Sequence, residues 1–294
     1  MVANTPTRPP AEDLRADLVG LDALDLAGGR RRGRAGRAWS AAWPQLAAVG
    51  LAVALWQAVA MSGWRPDYVL PGPGPVAAEL WHELGTGVFW EALAHTLRRA
   101  TIGFALAAVI GLALGIAVAR VRVLRTALGS LITGLQTMPS IAWFPLAILL
   151  FQLTESAILF VVVLGAAPSI ANGVIAGVDY VPPVLLNAGR NLGARGFALY
   201  RHVILPASLP SIVSGLKQGW AFAWRSLMAG ELLVIIAYRP SVGVRLNTFR
   251  ELVDVEGLIA TMLVILVVGI MVDIVFTTVD EGIRRRRGMS TVSR

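Results

Sequence analysis

The chain has 294 residues, of which 56% are hydrophobic and only 15% charged, and its mean hydropathy is +0.67. This composition excludes an ordinary soluble domain and predicts a polytopic membrane protein. The formal net charge of +8 does not indicate nucleic acid as a partner, because the arginines stand at the ends of apolar segments, where they set membrane topology. The absence of cysteine excludes disulfides and thiolate metal sites.

The N-terminal region is rich in Pro, Asp, Arg and Gly, which predicts a disordered cytosolic tail rather than a cleaved signal peptide. An arginine-rich block at 30–37 directly precedes the first apolar segment, as in an uncleaved start-transfer segment. We therefore expect four regions: a tail at 1–40, a first transmembrane helix and outer amphipathic loop at 41–97, a five-helix core at 98–285, and a cytosolic tail at 286–294.

Six segments approach the roughly 20 apolar residues that a membrane-spanning helix needs. The third of them contains Pro139 and Pro145, which must interrupt its helix. A break at membrane depth indicates either a packed kink or backbone that lines a pathway. The predicted spans are 44–63, 98–119, 127–152, 157–178, 208–236 and 257–280.

Arginine counts give the expected orientation. With both termini inside, sixteen arginines lie at the inner ends of the spans and six, including Arg98 and Arg99, at the outer ends. This excess predicts that both termini are cytosolic in a bacterial plasma membrane. The outer loop 64–97 contains an amphipathic segment, and we expect one side of it to lie on the membrane surface and pack against the spans. That side comprises Val76, Leu80, Trp81 and Leu84.

Two spans carry ionisable residues, which are costly in a membrane and usually face the interior of a helix bundle. Lys217 and Asp273 lie at similar depths, so a structural ion pair between them is predicted. Arg225 lies near mid-membrane, where its guanidinium suits a sulfonate or nitrate group or a structural partner. Glu231 is about 240° from Arg225 around the helix, so it should reach a neighbouring helix or a second copy instead.

The segment 179–207 separates the fourth and fifth spans on the predicted cytosolic side. Its prolines favour a helix start, and we expect a helix that runs to Leu192. Gly193 suits the left-handed position that follows a helix. A second short helix should stop before Pro206. Two short helices that meet near Gly193 would form a knob able to grip another protein.

This segment resembles the cytoplasmic "EAA" loop of ABC-importer permeases, whose pattern is E-A-A, three residues, Gly, nine residues and then I-x-L-P. Ala188, Gly193, Leu205 and Pro206 match in register, and Val203 replaces Ile. Asn187 and Gly189 stand where the pattern has Glu and the second Ala. The resemblance implies that an ATPase binds this loop, through Asn187, Ala188, Gly189, Gly193, Ala194, Val203, Leu205 and Pro206.

From about residue 68 to 285 the chain is similar to the nitrate/sulfonate/taurine subgroup of these permeases, in the stretches VLPGPGPVAAELW, LQTMPSIAWFPLAILLF and GLKQGWAFAWRSLMAGELL. This resemblance implies an all-α, six-helix type I importer fold with cytosolic coupling helices. It also implies a second permease copy, two ATPase subunits and an extracytoplasmic binding protein. The fifth span and the broken third span would then line the pathway, through Met138, Ser140, Trp143, Trp224, Arg225, Ser226, Met228 and Glu231.

The chain has no phosphate-binding loop motif and no HExxH or GxSxG motif, and its three histidines are far apart. We therefore expect no enzyme and no cofactor in this chain, with ATP and Mg²⁺ on the partner ATPase. The leading prediction is the permease of an importer for a small anion, in particular an aliphatic sulfonate. Alternatives are nitrate, taurine, bicarbonate or a heterocyclic vitamin precursor in the same machine, an ion-gradient carrier, or a membrane scaffold.

Overall fold

The computed structural model describes residues 34–236 and 239–286, without the side chains of 34–42, 284 and 286. Every element in these ranges is helical. The chain divides into two compact units between Trp64 and Arg65. The first contains α1 (Arg34–Met61), so residues 34–40 are helical where disorder was expected. Of the expected tails at 1–40 and 286–294, residues 1–33 and 287–294 lie outside the described residues.

The second unit holds nine helices in the described ranges. A 3₁₀ turn (Ser140–Trp143) separates α4 from α5, and α8 follows a three-residue helical turn (Phe197–Leu199) and a π-helical turn (Tyr200–Ile204). The helices are α2 (Pro73–Leu84), α3 (Gly87–Arg120), α4 (Arg122–Thr137), α5 (Phe144–Phe151), α6 (Glu155–Asp179), α7 (Pro183–Asn191), α8 (Leu205–Leu233), α9 (Val242–Glu251) and α10 (Val255–Arg286).

Among the described residues, four helices are long and apolar enough to cross a membrane: α1, α3, α6 and α10. The pair formed by α4 and the segment Ser140–Phe151 is bent by 103° and makes a fifth span if counted as one. The break falls at Pro139, as the sequence predicted, while Pro145 occupies the first turn of α5, where a proline is tolerated. The fifth predicted span, 208–236, corresponds to the 29-residue α8. This helix is not among those apolar enough to cross a membrane, so the count of six spans is not confirmed.

α3 is longer than expected. Thr86 caps its N-terminus by accepting a hydrogen bond from the Phe89 N–H at 3.4 Å, so the helix begins eleven residues before the predicted span at 98. The predicted domain boundary between 97 and 98 therefore falls within a continuous helix. Because the helix starts early, Thr96 and Arg99 lie within α3 and are buried in the helical bundle.

α2 partly matches the predicted amphipathic segment. Val76 is fully buried, but Trp81 is 79% exposed, so the four residues do not share one packed side. Glu83 of α2 forms an ion pair with Arg245 of α9. Burial lowers the pKa of Arg245, and the nearby Glu79 carboxylate opposes that effect. α2 is thus fixed to the protein by a charge pair as well as by apolar packing.

α6 is the central helix, and small residues let its neighbours approach it closely. A Cβ on Gly111 of α3 would lie 2.8 Å from Ile170 Cβ, and a Cβ on Gly173 would lie 2.5 Å from the Cα of Gly215 in α8. At both glycines a Cβ would overlap the neighbouring helix, and at Gly173 the two backbones themselves are in contact. The pair Gly173 and Gly215 therefore sets the spacing of α6 and α8.

This spacing gives the first prediction. Gly173→Ala should lower the free energy of unfolding by about 1–3 kcal/mol, because the new methyl group overpacks the contact with α8. Gly129→Ala is the matched control, since a Cβ at that helical glycine of α4 meets nothing within 4 Å. Thermal unfolding in detergent measures both. Equal stability of the two variants would contradict the close contact.

Candidate functional site

The insert between α6 and α8 has a defined turn after its first helix. α7 ends at Asn191, and Gly193 follows with a φ of +86°. The Gly193 N–H donates to the Arg190 carbonyl at 3.0 Å, and the Ala194 N–H donates to the Gly189 carbonyl at 2.9 Å. These two bonds form a Schellman motif, which satisfies the last carbonyls of the helix. Gly193 thus occupies the left-handed position that its place in the sequence predicted.

The second half of the insert differs from the prediction. It does not stop before Pro206, because the π-helical turn Tyr200–Ile204 continues directly into α8. The Leu205 N–H donates to the Tyr200 carbonyl five residues earlier. Pro206 is the second residue of α8. The insert is therefore continuous with a long helix of the bundle.

Gly189 is the point where the two halves of the insert meet. It is buried, and a Cβ there would lie 2.8 Å from Val203 Cγ2 and 2.9 Å from Leu199 Cδ1. The glycine lets α7 rest directly on the residues that lead into α8. This contact gives a physical reason for glycine at a position where the resembled pattern has alanine.

The insert presents apolar side chains on its surface. Val184 is 75% exposed, Leu192 88% and Phe197 71%, and Ala188 is also exposed. Val184, Ala188 and Leu192 are spaced by four residues, so they lie on one side of α7. An exposed apolar patch of this kind is typical of a surface that binds another protein.

Two further contacts hold the helices together at the end of the bundle where the insert lies. Arg125 of α4 pairs with Asp179 at the end of α6. The guanidinium carbon of Arg120, in the last turn of α3, lies 4.0 Å from the ring centroid of Tyr200, within cation–π distance. The insert is therefore attached to α3 as well as to the two helices that it connects.

The break between α4 and α5 opens onto a cavity of about 230 Å³. Gln136, Met138 and Ser140 line it from the break, Gly165 lines it from α6, and Arg225 lines it from α8. Arg225 is exposed on this face of the protein.

The Arg225 side chain has only local contacts. Its Nε donates to the Ala221 carbonyl at 3.1 Å, and its guanidinium carbon lies 4.7 Å from the Phe222 ring centroid. In the described part of the chain, no carboxylate lies within ion-pairing distance of it. A guanidinium at a cavity, with donors left over, is able to bind an anion.

The remaining predicted pathway residues lie elsewhere. Trp143 and Met228 pack against the apolar core, and Trp224 is 8% exposed within it. Ser226 is fully buried, and its Oγ has no hydrogen-bond partner. A Cβ on Gly165 would lie only 2.6 Å from this Oγ. Ser226 therefore lies directly behind the wall of the Arg225 cavity rather than on its surface.

Lys217 and Asp273 lie together at the position where the sequence places an ion pair. Lys217 Nζ is 3.0 Å from Asp273 Oδ1 and also donates to Thr277 Oγ1 at 2.9 Å. The contact joins α8 to α10. The Asp273 side chain is 57% exposed, so the pair contributes little stability where it is solvated.

Glu231 is the centre of a buried polar cluster. It has no exposed surface, and its carboxylate accepts from Thr96 Oγ1 at 2.9 Å and from Arg99 Nη1 at 3.1 Å. The Gly243 N–H at the start of α9 donates to it at 3.0 Å, and Arg99 Nη2 lies 3.4 Å from Glu155 of α6. We call Thr96, Arg99 and Glu231 the Glu231 cluster. It joins α3, α6, α8 and α9 at the end of the bundle opposite the insert.

The sequence analysis missed two members of this cluster. It placed Arg99 at the outer membrane surface and did not single out Thr96, whereas both are almost fully buried. A signal was available, because Ala100, Gly103 and Ala107 mark the packed face of α3. Continuing that spacing towards the N-terminus reaches Thr96 and Arg99.

Within the described ranges, no group of three or more histidine, cysteine or carboxylate side chains could hold a metal ion. The site therefore consists of an insert with an apolar surface, a cavity with one arginine, and a buried charge cluster that fixes the opposite end. Together with the long apolar helices, these features are those of a helical membrane protein.

Residues 108–285 match the family described as the inner membrane component of binding-protein-dependent transport systems. The chain belongs to this family and is a permease subunit of an ABC importer, a multi-pass membrane protein that is not itself an enzyme. The resemblance proposed from the sequence is confirmed.

Known relatives cover most of the chain. A putative ABC transporter permease protein of Methanocaldococcus jannaschii is 32% identical over 76% of this chain and 84% of its own length. A putative aliphatic sulfonates transport permease protein of Escherichia coli is 31% identical over 79% and 86%. Permeases named for riboflavin transport in Chloroflexus aurantiacus and for taurine transport in E. coli match at 32% and 28% identity, over 72% and 75% of this chain and 79% and 81% of theirs.

The fold agrees with that of a solved ABC transporter. A chain of the MetNI methionine ABC transporter, in an inward-facing form, superposes with a TM-score of 0.57 at 16% identity. The match covers 67% of this chain and 96% of that chain. This likeness supports the type I permease architecture.

The Glu231 cluster gives the second prediction. Glu231→Leu should lower the free energy of unfolding by about 3–5 kcal/mol, because Arg99 would lose its buried counter-charge. The double variant Arg99→Met/Glu231→Leu should recover much of that loss, since no charge remains buried without its partner. Thermal unfolding in detergent is the measurement.

Glu91→Leu is the control, because that side chain is 59% exposed. If Glu231→Leu destabilised the protein no more than Glu91→Leu, the cluster would not carry the structural role assigned to it.

Proposed function

We propose that this permease imports a small anion, with an aliphatic sulfonate as the leading candidate, delivered by an extracytoplasmic binding protein. A partner ATPase binds the insert, and both termini lie in the cytosol of a bacterial cell. Nitrate, taurine, bicarbonate and a heterocyclic vitamin precursor are the alternative cargoes. ATP and Mg²⁺ act on the partner ATPase.

The exposed apolar side of the insert is the observation that carries the proposed coupling. Val184, Ala188 and Leu192 form a surface beyond the long apolar helices, where a membrane would not cover it. The Schellman turn at Gly193 and the packing at Gly189 give this surface a fixed shape. A rigid apolar knob is suited to a groove on an ATPase subunit.

Motion of the insert would reach the bundle along two routes. The π-helical turn continues into α8, which carries Arg225, and the Tyr200 contact joins the insert to Arg120 of α3. ATP-driven closure of the partner subunits would then rock these helices and open the route to the binding protein, and hydrolysis would reset the inward-facing state. This is the alternating-access mechanism of importers with moving helix bundles.

An anionic cargo is supported by Arg225. Its guanidinium lies at the cavity beside the helix break and has no ion-pair partner in the described part of the chain. A sulfonate or nitrate presents the oxygen cluster that a forked donor binds. The relative named for aliphatic sulfonates agrees with this choice, while the relatives named for taurine and riboflavin keep the alternatives open.

The assembly that fits this arrangement has two permease copies, two ATPase subunits and one binding protein. Arg225 and the cavity beside it are exposed on one face of the chain, and such a polar face needs cover from lipid. A second copy placed against this face would enclose the pathway. The arginine-rich inner ends of the helices support cytosolic termini.

The third prediction tests the docking surface. Ala188→Trp should reduce recovery of the partner ATPase in co-purification by about tenfold or more, because a bulky side chain at the centre of a packed contact obstructs it. The insert itself should stay folded, since Ala188 is exposed. Ala78→Trp on α2 is the matched control, an exposed alanine at the opposite end. Equal recovery with both variants would place the ATPase contact elsewhere.

The fourth prediction tests the cargo. In vesicles that contain the whole transporter, Arg225→Gln should reduce ATP-driven uptake of a labelled alkanesulfonate by about tenfold or more, because the charge-assisted hydrogen bonds are lost. ATPase recovery should be unchanged. Arg250→Gln, an exposed arginine of α9, is the control. Undiminished uptake by Arg225→Gln would exclude Arg225 as an anion-binding residue.

A further inference from the structure

A second polar cavity lies beside the first, on the same pair of helices. It has a volume of about 500 Å³, and Asn172 of α6 lines it together with Ser211, Ser214 and Gln218 of α8. Ser214 and Gln218 are exposed on the face that also carries Arg225. None of these four residues was singled out by the sequence analysis.

The two cavities follow each other along one seam between α6 and α8. Gly165 and Asn172 are seven residues apart on α6, and Gln218 and Arg225 are seven residues apart on α8. Seven residues make almost two full turns, so each pair lies on one side of its helix, separated by about 10 Å. Because α8 begins at the insert, the second cavity is the one nearer to the insert.

A side-chain hydrogen bond links the linings of the two cavities. Gln136 lines the Arg225 cavity, Asn172 lines the second cavity, and Asn172 Nδ2 donates a hydrogen bond to Gln136 Oε1. Gln136 stands in the last turn of α4, immediately before the break at Pro139. Any change of the bend there would therefore move Gln136 relative to α6.

We propose that the second cavity is a further binding station for the transported anion, and that Gln136 and Asn172 form the gate between the two stations. This inference rests on the proposed import of an anion. When the pair separates, each amide has N–H groups free to donate to the passing oxygens. The anion thus replaces the hydrogen bond that its passage breaks.

The side chains of the second station are suited to releasing the anion towards the insert. Its lining supplies neutral hydroxyl and amide donors, whereas the first station supplies a guanidinium. Hydrogen bonds to a charged donor are about twice as strong as neutral ones. An anion that moves from Arg225 towards Ser214 is therefore held less tightly as it nears the insert, which is what conduction through successive sites requires.

The absence of cysteine in the chain allows a direct test with single cysteines. Ser140→Cys reports on the Arg225 cavity, and Ser214→Cys reports on the second cavity. The complete transporter, without nucleotide, is placed in sealed vesicles with the insert outward and treated with a methanethiosulfonate that bears a sulfonate group. Val275→Cys on α10, which is exposed and lines neither cavity, is the control for lipid-covered positions.

Ser214→Cys should react at least about fivefold faster than Ser140→Cys, the ratio that one net hydrogen bond corresponds to. Adding Gln136→Ala and Asn172→Ala should remove most of this difference by speeding the reaction at Ser140→Cys. The control is Thr133→Ala, because the Thr133 hydroxyl donates only to the Gly129 carbonyl within α4. This variant should leave the difference between the two reaction rates unchanged. Two results would overturn the proposal. One is an equal reaction rate at Ser140→Cys and Ser214→Cys while Gln136 and Asn172 are intact. The other is an unchanged rate at Ser140→Cys when both residues are replaced by alanine.

Failure of the gate and failure of the proposed function give different results. If the native transporter takes up sulfonate but the cysteine rates do not depend on Gln136 and Asn172, the gate is wrong and the import function stands. The same cysteines are also treated with a methanethiosulfonate that bears a cationic group. If the rates behave as expected but this cationic reagent reacts as fast as the anionic one, the station does not select anions, and the inference fails with the anion assignment.

Discussion

The buried carboxylate of Glu231 is the interaction on which the arrangement of the helices depends. An ionised group without exposed surface is stable only when it is paired and hydrogen-bonded. Thr96, Arg99 and the first turn of α9 supply those partners, so α8 is held in one rotational setting against α3. Arg225 is about 240° from Glu231 around α8. Since Glu231 faces the interior, Arg225 must face the open side, where it borders the cavity.

The seam between α6 and α8 depends on the same setting. Gly173 and Gly215 bring the two backbones into contact, and the polar residues flank that contact on the open face. Ser214, Gln218 and Arg225 share this face because they are spaced by four and seven residues. The Glu231 cluster at one end and the insert at the other thus orient one helix, so that its packed side builds the bundle and its polar side builds the proposed pathway.

The sequence indicated features that depend on local chemistry, or on two residues lying at the same depth in neighbouring helices. Gly193 was identifiable because a helix end requires a left-handed residue there, and Pro139 because it removes a backbone donor within an apolar segment. Lys217 and Asp273 were paired from their equal distance to the helix ends. These are rules that act within one helix or between two helices of known direction, and the structure shows the corresponding geometry.

Other features could not be read from the sequence because they depend on tertiary contacts. Arg99 and Glu231 are separated by 132 residues, and an arginine near the end of an apolar segment is usually a surface residue. The helix continues through Pro206 from a π-helical turn, which no local pattern signalled. The Gln136 and Asn172 contact likewise exists only once the break has turned α4 towards α6.

The most direct test of the account is a structure of the complete transporter, with its ATPase, in a lipid membrane. The account predicts that Val184, Ala188 and Leu192 are buried against the ATPase, and that Arg225 faces a closed route between two permease copies. An insert without contact to the ATPase, or an Arg225 that faces the lipid, would contradict it.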